Sequence, residues 1–524
     1  MPPASHSTRE VQITLNRAGM VLIATVAAWL QMGFGPVRIT TPVTGRVVDV
    51  DTKAPIEGAA VRLQQWATCT GSKSPPKLRE TLTDAGGRLT IGGGVVAGPC
   101  IWPAFSTRLD IIAPGYLAAT ANDDHSVEPP QESVRRGTFE LDRVRYRVEL
   151  EEYDRLAKYS PGDAGSKWAE VFARARTLRV QPVDRPGVFA SQPGAAFHQV
   201  ATVKRGSMRR LLEWSVIAQD RNTGALYEWT TKGTAEAIPA LPVGATLLAG
   251  RRSDLATEPF FVHPTTSFSM RSDRPIFLRD YSNPPPPTWS AVPAQLGGVR
   301  DVVRWHKWLV ALESDGRAIA VYDLGRWVDS YVPRRQPGEP REIRPGPQLT
   351  VSEIVPGAVL PIECMTVVYG NHPGLMFIAR TGGGRGLYRL TADPESDPQK
   401  WKADRIDVLG GTLSTAATAC AGGYNTLYVA LKDQGILRLD IGQYSTERRM
   451  DWRYGGKVTA RSSRDGSAGP VNFTALAVRD VDYFWEVLYG VAGDDTVYRL
   501  SSDLRPDQRI ELTRPPVRDE RPDR

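Results

Sequence analysis

Leu427-Tyr428-Val429-Ala430, a polar tight turn, and then Gly435-Ile436-Leu437-Arg438-Leu439 decide the reading of this chain. Both segments are short, apolar and flanked by turn residues, which is the pattern of two strands in a hairpin. The hairpin recurs as Leu488-Tyr489-Gly490-Val491-Ala492 with Val497-Tyr498-Arg499-Leu500, and as Leu375-Met376-Phe377-Ile378-Ala379 with Gly386-Leu387-Tyr388-Arg389-Leu390. Looser copies are Trp308-Leu309-Val310-Ala311-Leu312 with Ile319-Ala320-Val321-Tyr322, and Trp214-Ser215-Val216-Ile217-Ala218 with Ala225-Leu226-Tyr227-Glu228-Trp229. A further strand precedes each copy, at 198–203, 299–303, 363–368, 415–420 and 473–478.

Copies start 67 (308 to 375), 52 (375 to 427) and 61 (427 to 488) residues apart. The gap of 94 from 214 to 308 holds two units, with a degraded copy near Pro275-Ile276-Phe277-Leu278. A small twisted sheet cannot bury its faces alone, so several strands per unit at this period predict blades stacked around an axis, a β-propeller. Five blades are visible, a sixth is expected, and seven stays open. The competing reading is a pair of irregular β-sandwiches. The units resemble the loose repeats of NHL-type and related six-bladed propellers, over about three fifths of the chain.

Residues 151–195 read as a connector before this 196–512 domain. Within it Ser166 is placed to cap a helix with Trp168, Val171, Phe172, Ala175 and Leu178 on one stripe. Pro182, Pro186 and Pro193 stop it from continuing.

Residues 41–150 carry period-two alternation between Gly and Pro breaks. Val61, Leu63 and Gln65 face one way and Ala60, Arg62 and Gln64 the other. The last strands are expected at Thr138–Leu141 and Tyr146–Leu150. The ordered residues Gly45/Val47/Asp49, Pro55, Gly58-Ala59 with Val61 and Leu63, Thr83-Asp84 with Gly87 and Leu89, and Ala113-Pro114-Gly115-Tyr116 resemble the carboxypeptidase regulatory-like domain. That resemblance implies a transthyretin-like β-sandwich, an accessory fold with no catalytic residues to carry over. Two departures, a long 66–81 segment and an interruption at Gly98-Pro99-Cys100, each hold a cysteine.

Before the sandwich, Ala18 to Val37 is an apolar run preceded by Arg9 and Arg17. Its length suits a membrane-spanning helix, and Val26-Ala27-Ala28 offers a signal-peptide cleavage site. The longer run favours an uncleaved signal anchor in residues 1–40, with an inner-membrane tether and the rest of the chain periplasmic or otherwise extracytoplasmic. The fold class is therefore mostly β: an N-terminal apolar helix, a transthyretin-like sandwich and a propeller. Residues 513–524 are charged and proline-rich and read as a disordered tail.

The four cysteines, Cys69, Cys100, Cys364 and Cys420, lack zinc-site spacing and allow three connectivities. Pairing within domains couples the domains least. The two sandwich insertions lead us to expect a Cys69–Cys100 bridge, which leaves Cys364 with Cys420. Four buried thiols is the bland alternative.

Chemistry is sparse. His306 and His372 fall in equivalent inter-strand connections of neighbouring units, so they are weak metal or general-base candidates. Two exposed loop histidines is the commoner outcome. Thr381-Gly382-Gly383-Gly384-Arg385-Gly386 looks like a phosphate loop but lacks the following Lys-Ser/Thr, so a hairpin turn is expected. Asp49, Asp51, Asp494 and Asp495 read as turn acids, and Asn283 to Pro287 as a stiff surface loop. No catalytic residue and no cofactor is assigned. The formal charge of +7 is spread over 524 residues without a basic-aromatic run, so nucleic acid is not an expected partner. The leading reading is a non-catalytic envelope protein presenting its propeller to a protein or glycan. The alternative is an extracytoplasmic propeller enzyme, a hydrolase or a metal-dependent lyase.

Overall fold

The computed structural model describes residues 37–513 apart from a set of connections, the longest being 125–135, 263–275, 324–343 and 459–471. The apolar 18–37 segment, save its last residue, and the C-terminal tail lie outside the described residues. Among the described residues no helix is long and apolar enough to cross a membrane.

The N-terminal part packs two sheets face to face. One holds Arg88–Ile91, Val43–Asp49 and Arg136–Leu141, the last pair being parallel. The other is centred on Ala60–Cys69, which pairs with Ala104–Ile112 on one side and with Lys77–Leu82 on the other. Val47, Val61, Leu63, Leu89, Leu109 and Ile111 close the core between them. Burying each such aliphatic side chain stabilises by roughly 1.5–3 kcal/mol. Alternation puts Ala60 on the opposite face, where it meets Tyr153, Trp168, Val171 and Phe172 of two helices.

Those motif residues have structural work. Asp49 is buried and accepts hydrogen bonds from the Asp51 and Thr52 amides, the Tyr116 hydroxyl at 3.0 Å and Arg143 Nε at 2.6 Å. Burial alone would raise its pKa, but the Thr52 amide, Arg143 and Tyr116 outweigh burial and bring it to about 2. Asp49 is thus a turn acid that also ties three segments together. Gly87 has φ +71°, and a Cβ there would lie 2.4 Å from the Val47 carbonyl oxygen.

Tyr146–Leu150 is not a strand. Arg147–Tyr159 forms a helix. The Glu149 carboxylate accepts from the Arg145 and Tyr146 amides, satisfying donors at the helix start. Five alternating residues are too few to separate a strand from a first helical turn, and here the docking partner decided. The second helix, Lys167–Ala175, is capped by Ser166 Oγ accepting from the Ala169 amide at 3.1 Å. Trp168, Val171, Phe172 and Ala175 are its buried stripe.

The rest of the chain builds six four-stranded antiparallel sheets among the described residues. In chain order their first strands are Phe197–Arg205, Thr246–Arg251, Val299–Trp305, Val359–Val368, Ala417–Gly422 and Phe473–Asp482. Each first strand neighbours the first strand of the next sheet, and the sixth returns to lie beside the first. The arrangement is propeller-like, with the first strands innermost. The sixth sheet draws three strands from residues 473–501 and its outer strand, Val188–Ala190, from before the first sheet. Arg179–Pro182 likewise pairs with Ile510–Thr513. Of the connector, Val188–Ala190 therefore belongs to the sixth sheet.

Candidate functional site

Innermost strands present a particular problem. One edge of each is not paired to another strand of its own sheet, so amides and carbonyls there need other partners. Side chains of the neighbouring sheet supply them. Thr202 Oγ1 donates to the Val478 carbonyl at 2.7 Å, closing the sixth-to-first seam. Gln219 Oε1 accepts from the Leu247 amide at 2.8 Å. Asp301 Oδ2 accepts from the Met365 amide at 3.1 Å. Thr366 Oγ1 accepts from the Gly422 amide at 3.0 Å, and Thr418 Oγ1 donates to the Phe473 carbonyl at 2.6 Å.

The first strands share a second feature. In five of them, among the described residues, the register with the next strand shifts near the start. The residues passed over are His198, Arg300, Glu363, Thr418 and Thr474. A bulge re-aims the extra side chain and sharpens the local twist. These five positions form one rim of the ring, where a propeller would gather a catalytic set.

The chemistry at that rim is committed to structure. Glu363 is buried; Arg385 Nε lies 2.6 and 2.8 Å from its two oxygens, and the Ala417 amide donates at 2.8 Å. Arg380 adds a longer contact at 3.5 Å. His198 places Nδ1 3.1 Å from the Gln219 carbonyl, and burial lowers its pKa below the ordinary histidine value. Asp301 is raised by burial to about 6, against the opposing pull of Arg300 and the Met365 amide.

Among the described residues, the seam between the fourth and fifth sheets carries a covalent fastening. Cys364 and Cys420 are joined by a disulfide, with Cα atoms 6.0 Å apart, across two innermost strands. A Cβ at Gly422 would lie 1.8 Å from the Val367 carbonyl oxygen, so only glycine allows this approach. The pairing of Cys69 with Cys100 falls outside the described residues. His306 and His372 also fall outside them, between strands ending at Trp305 and Val368 and strands starting at Trp308 and Gly374. No group of three or more His, Cys, Asp or Glu able to hold a metal occurs among the described residues. The glycine-rich run is a hairpin: Thr381 pairs with Gly384, and Arg385 is the residue that reaches Glu363.

A different site lies on the outer part of the fourth sheet. A cleft of about 460 Å³ is lined by Pro356, Gly357, Gly382, Tyr388, Ala403, Asp404 and Arg405. Tyr388 stands directly across from Arg405 on the outer strand Ala403–Ile406. Sequence reading passed over both. Tyr388 was visible only as part of the repeated Tyr-Arg-Leu, and the outer strand carries no repeat signal of its own.

No protein-family model matches the chain, and no curated protein matches it. Among solved structures, the chain is similar to the PQQ-bound form of aldose sugar dehydrogenase from Streptomyces coelicolor, at 12% identity and TM-score 0.32, over 64% of this chain and 98% of that one. It is similar to virginiamycin B lyase from Staphylococcus aureus, at 10% identity and TM-score 0.31, over 64% and 99%. It is also similar to the β-propeller domain of Cps50 (Swd1) from Myceliophteria thermophila, at 9% identity and TM-score 0.33, over 64% and 89%. At such scores the likenesses bear no weight for activity or partner, and the propeller-like ring stands on its own sheet order.

Proposed function

We propose that the chain is an extracytoplasmic binding protein whose six sheets are the blades of a six-bladed propeller. On this reading the 18–37 segment tethers it to the membrane, the sandwich spaces it, and the ring presents a surface to an envelope partner. The carrying observation is the state of Glu363. It is the buried carboxylate of the bulged rim, and it is held by Arg385, Arg380 and the Ala417 amide. A carboxylate so held is a poor base or ligand and a good fastener. The neighbouring threonines act in the same way. On this reading the partner is met on the outer surface of the ring.

The test uses residues 38–524, immobilised and challenged with a detergent extract of the source cell's envelope. The expected result is saturable retention of one component, competed by free chain and kept by Glu363→Gln in proportion to folded protein. Turnover of any hydrolase or lyase substrate that vanishes in Glu363→Gln while the fold persists would overturn the reading.

A further inference from the structure

The register of the sandwich strands brings the entry of the chain and an open part of a sheet face to the same end. Val37–Thr40 is a strand, paired antiparallel with Gly94–Ala97 from Val37↔Ala97 to Thr40↔Gly94. The next pairing inward is Val43 with Ile91. Val43–Asp49 then runs to the Asp49 turn, which Tyr116 and Arg143 hold. Just beyond, the Arg147 amide donates to the Gln508 carbonyl and the Ile510 amide to the Arg145 carbonyl. The Asp49 turn is therefore the ring-ward end of the sandwich, and Val37 lies at its far end. Ala60–Cys69 runs the same way. Ala60 meets the two connector helices, and Thr68 pairs with Ala104 near the far tip.

Alternation puts Ala60, Arg62, Gln64 and Trp66 on the outer face of that central strand. Helices cover its ring-ward half. Leu82, Ala60 and Ile112 form one row against Tyr153, Trp168, Val171 and Phe172. Arg62 follows, paired with Glu80 and stacked on the Trp168 ring at 4.4 Å. The next row, Leu78, Gln64 and Arg108 across three strands, is open. Leu78 is 55% exposed, and Arg108 is exposed as well. Asp110 accepts from Gln64 Nε2 and from Arg108 Nε, each at 2.7 Å, which fixes both side chains. Trp66 comes next on the same face and is half-buried, and Pro75, Pro76 and Lys77 lead exposed into Leu78.

One exposed leucine needs no partner by itself. Its place in the chain supplies one here. The apolar run from Ala18 ends on Val37, the first residue of a paired strand. Phe34, the last large side chain before it, can be at most about 11 Å from Val37 even with the chain extended. A spanning helix in that run therefore leaves the far end of the sandwich no slack, and the bilayer is the surface that meets it. We infer that the sandwich leans on the lipid headgroups with the open half of this face, Leu78 and Trp66 at the interface and Lys77 and Arg108 reaching lipid phosphates. Amphipathic aromatic rings settle at headgroup level, and long basic side chains bury their stems while the charge stays at the polar surface. The inference rests on the membrane tether of the reading above and adds a second, peripheral contact to it.

The experiment reconstitutes the full chain into vesicles of phosphatidylcholine and phosphatidylglycerol. Leu78→Cys and, separately, Val359→Cys carry one environment-sensitive dye, attached without reductant so that the Cys364–Cys420 bridge stays closed. Val359, 51% exposed on the fourth sheet, is the matched apolar control on the ring. Headgroup-spin-labelled lipid should quench the Leu78 dye at least about two-fold and change the Val359 dye by less than about a tenth. Lys77→Gln with Arg108→Gln should bring the Leu78 dye most of the way to the Val359 value at an unchanged melting temperature. In chain that floats with the vesicles, equal quenching at both positions, or none at Leu78, would overturn the inference and leave the tether standing. A Leu78 dye that is shifted to the blue yet not quenched would place a protein surface there and also overturn it. Full chain that does not float with the vesicles would remove the tether, and this contact with it.

Discussion

Arg499 and Glu149, 350 positions apart, meet at 2.9 Å in the interior where the first connector helix docks on the sixth sheet. Asp507 takes the other side of the same guanidinium at 2.7 Å, and the Tyr146 ring lies 3.5 Å beneath it. The charged guanidinium is held strongly: burial opposes the charge, but Tyr489, Glu149, Asp507 and Tyr146 outweigh burial and raise the Arg499 pKa. The Val148 amide also donates to Asp507 at 3.0 Å. The cluster therefore clamps the helix to the last sheet, close to where Val188–Ala190 closes the ring.

Removing Glu149 leaves Arg499 paired with Asp507 alone and takes the acceptor from the Arg145 and Tyr146 amides. Losing a hydrogen bond to a charged group costs about 1.5–3 kcal/mol. Glu149→Ala should lower the urea midpoint accordingly. Arg499→Lys should not recover it, because an ammonium cannot serve both carboxylates with the same flat fork. A melt unchanged in Glu149→Ala would show that the helix is not docked there.

The disulfide closes a separation of 56 residues between innermost strands. In the loop-entropy model a bridge of this size contributes about 4 kcal/mol. Paired Cys364→Ala and Cys420→Ala should lose most of that in chemical denaturation. Non-reducing peptide mapping should recover the 364–420 cross-link. Recovery of both as free thiols would remove one support for an extracytoplasmic location.

Two aspartates give opposite pH signatures. Asp49, lowered to about 2 from an ordinary 3.8, contributes stability that is present above pH 4 and lost as pH falls through about 2. Asp49→Asn should therefore cost about 2 kcal/mol at pH 7 and little at pH 2. Asp142 behaves in the other direction. Burial raises it to about 6, against the pull of Arg479 and Arg145. Between an ordinary 3.8 and about 6 the folded chain binds more protons than the unfolded one, so this contribution grows as pH falls through that window. Asp142→Asn should stabilise at pH 8 and change little at pH 4. Denaturation series at the four pH values check both signs.

Gly422 and Gly493 offer a matched pair. A Cβ at Gly422 meets the Val367 carbonyl, whereas at Gly493 the nearest atom is 3.7 Å away. Gly422→Ala should force two innermost strands apart and cost several kcal/mol, and Gly493→Ala should stay within about 0.5 kcal/mol of wild type.

The hairpins Thr426–Leu431 with Gly435–Ile441, and their counterparts in the third, fourth and sixth sheets, lie where the sequence repeats place them. They were legible because the middle strands of each sheet are buried on both faces and so read as apolar runs. The outer strands were not. Ala403–Ile406 buries only its first residue and keeps two charged ones exposed, so it looks like a loop. The second sheet was seen only at Ile276–Arg279. The helix from Arg147 was read as a strand because its identity depends on Asp507 and Arg499, distant in sequence. Of the rim, the positions of the strands were readable but the bulges were not. A bulge is a property of pairing, and one strand alone does not display it.

The central claim is that the buried rim carboxylate fastens sheets and does no chemistry. Glu363→Gln tests it most directly, with a thermal melt and envelope-component retention measured on one sample. The account predicts a clearly lowered melting temperature, because Arg385 and the Ala417 amide lose their charged acceptor, with retention per folded molecule unchanged. An unchanged melting temperature together with lost retention, or with loss of any turnover the wild-type chain displays, would contradict it.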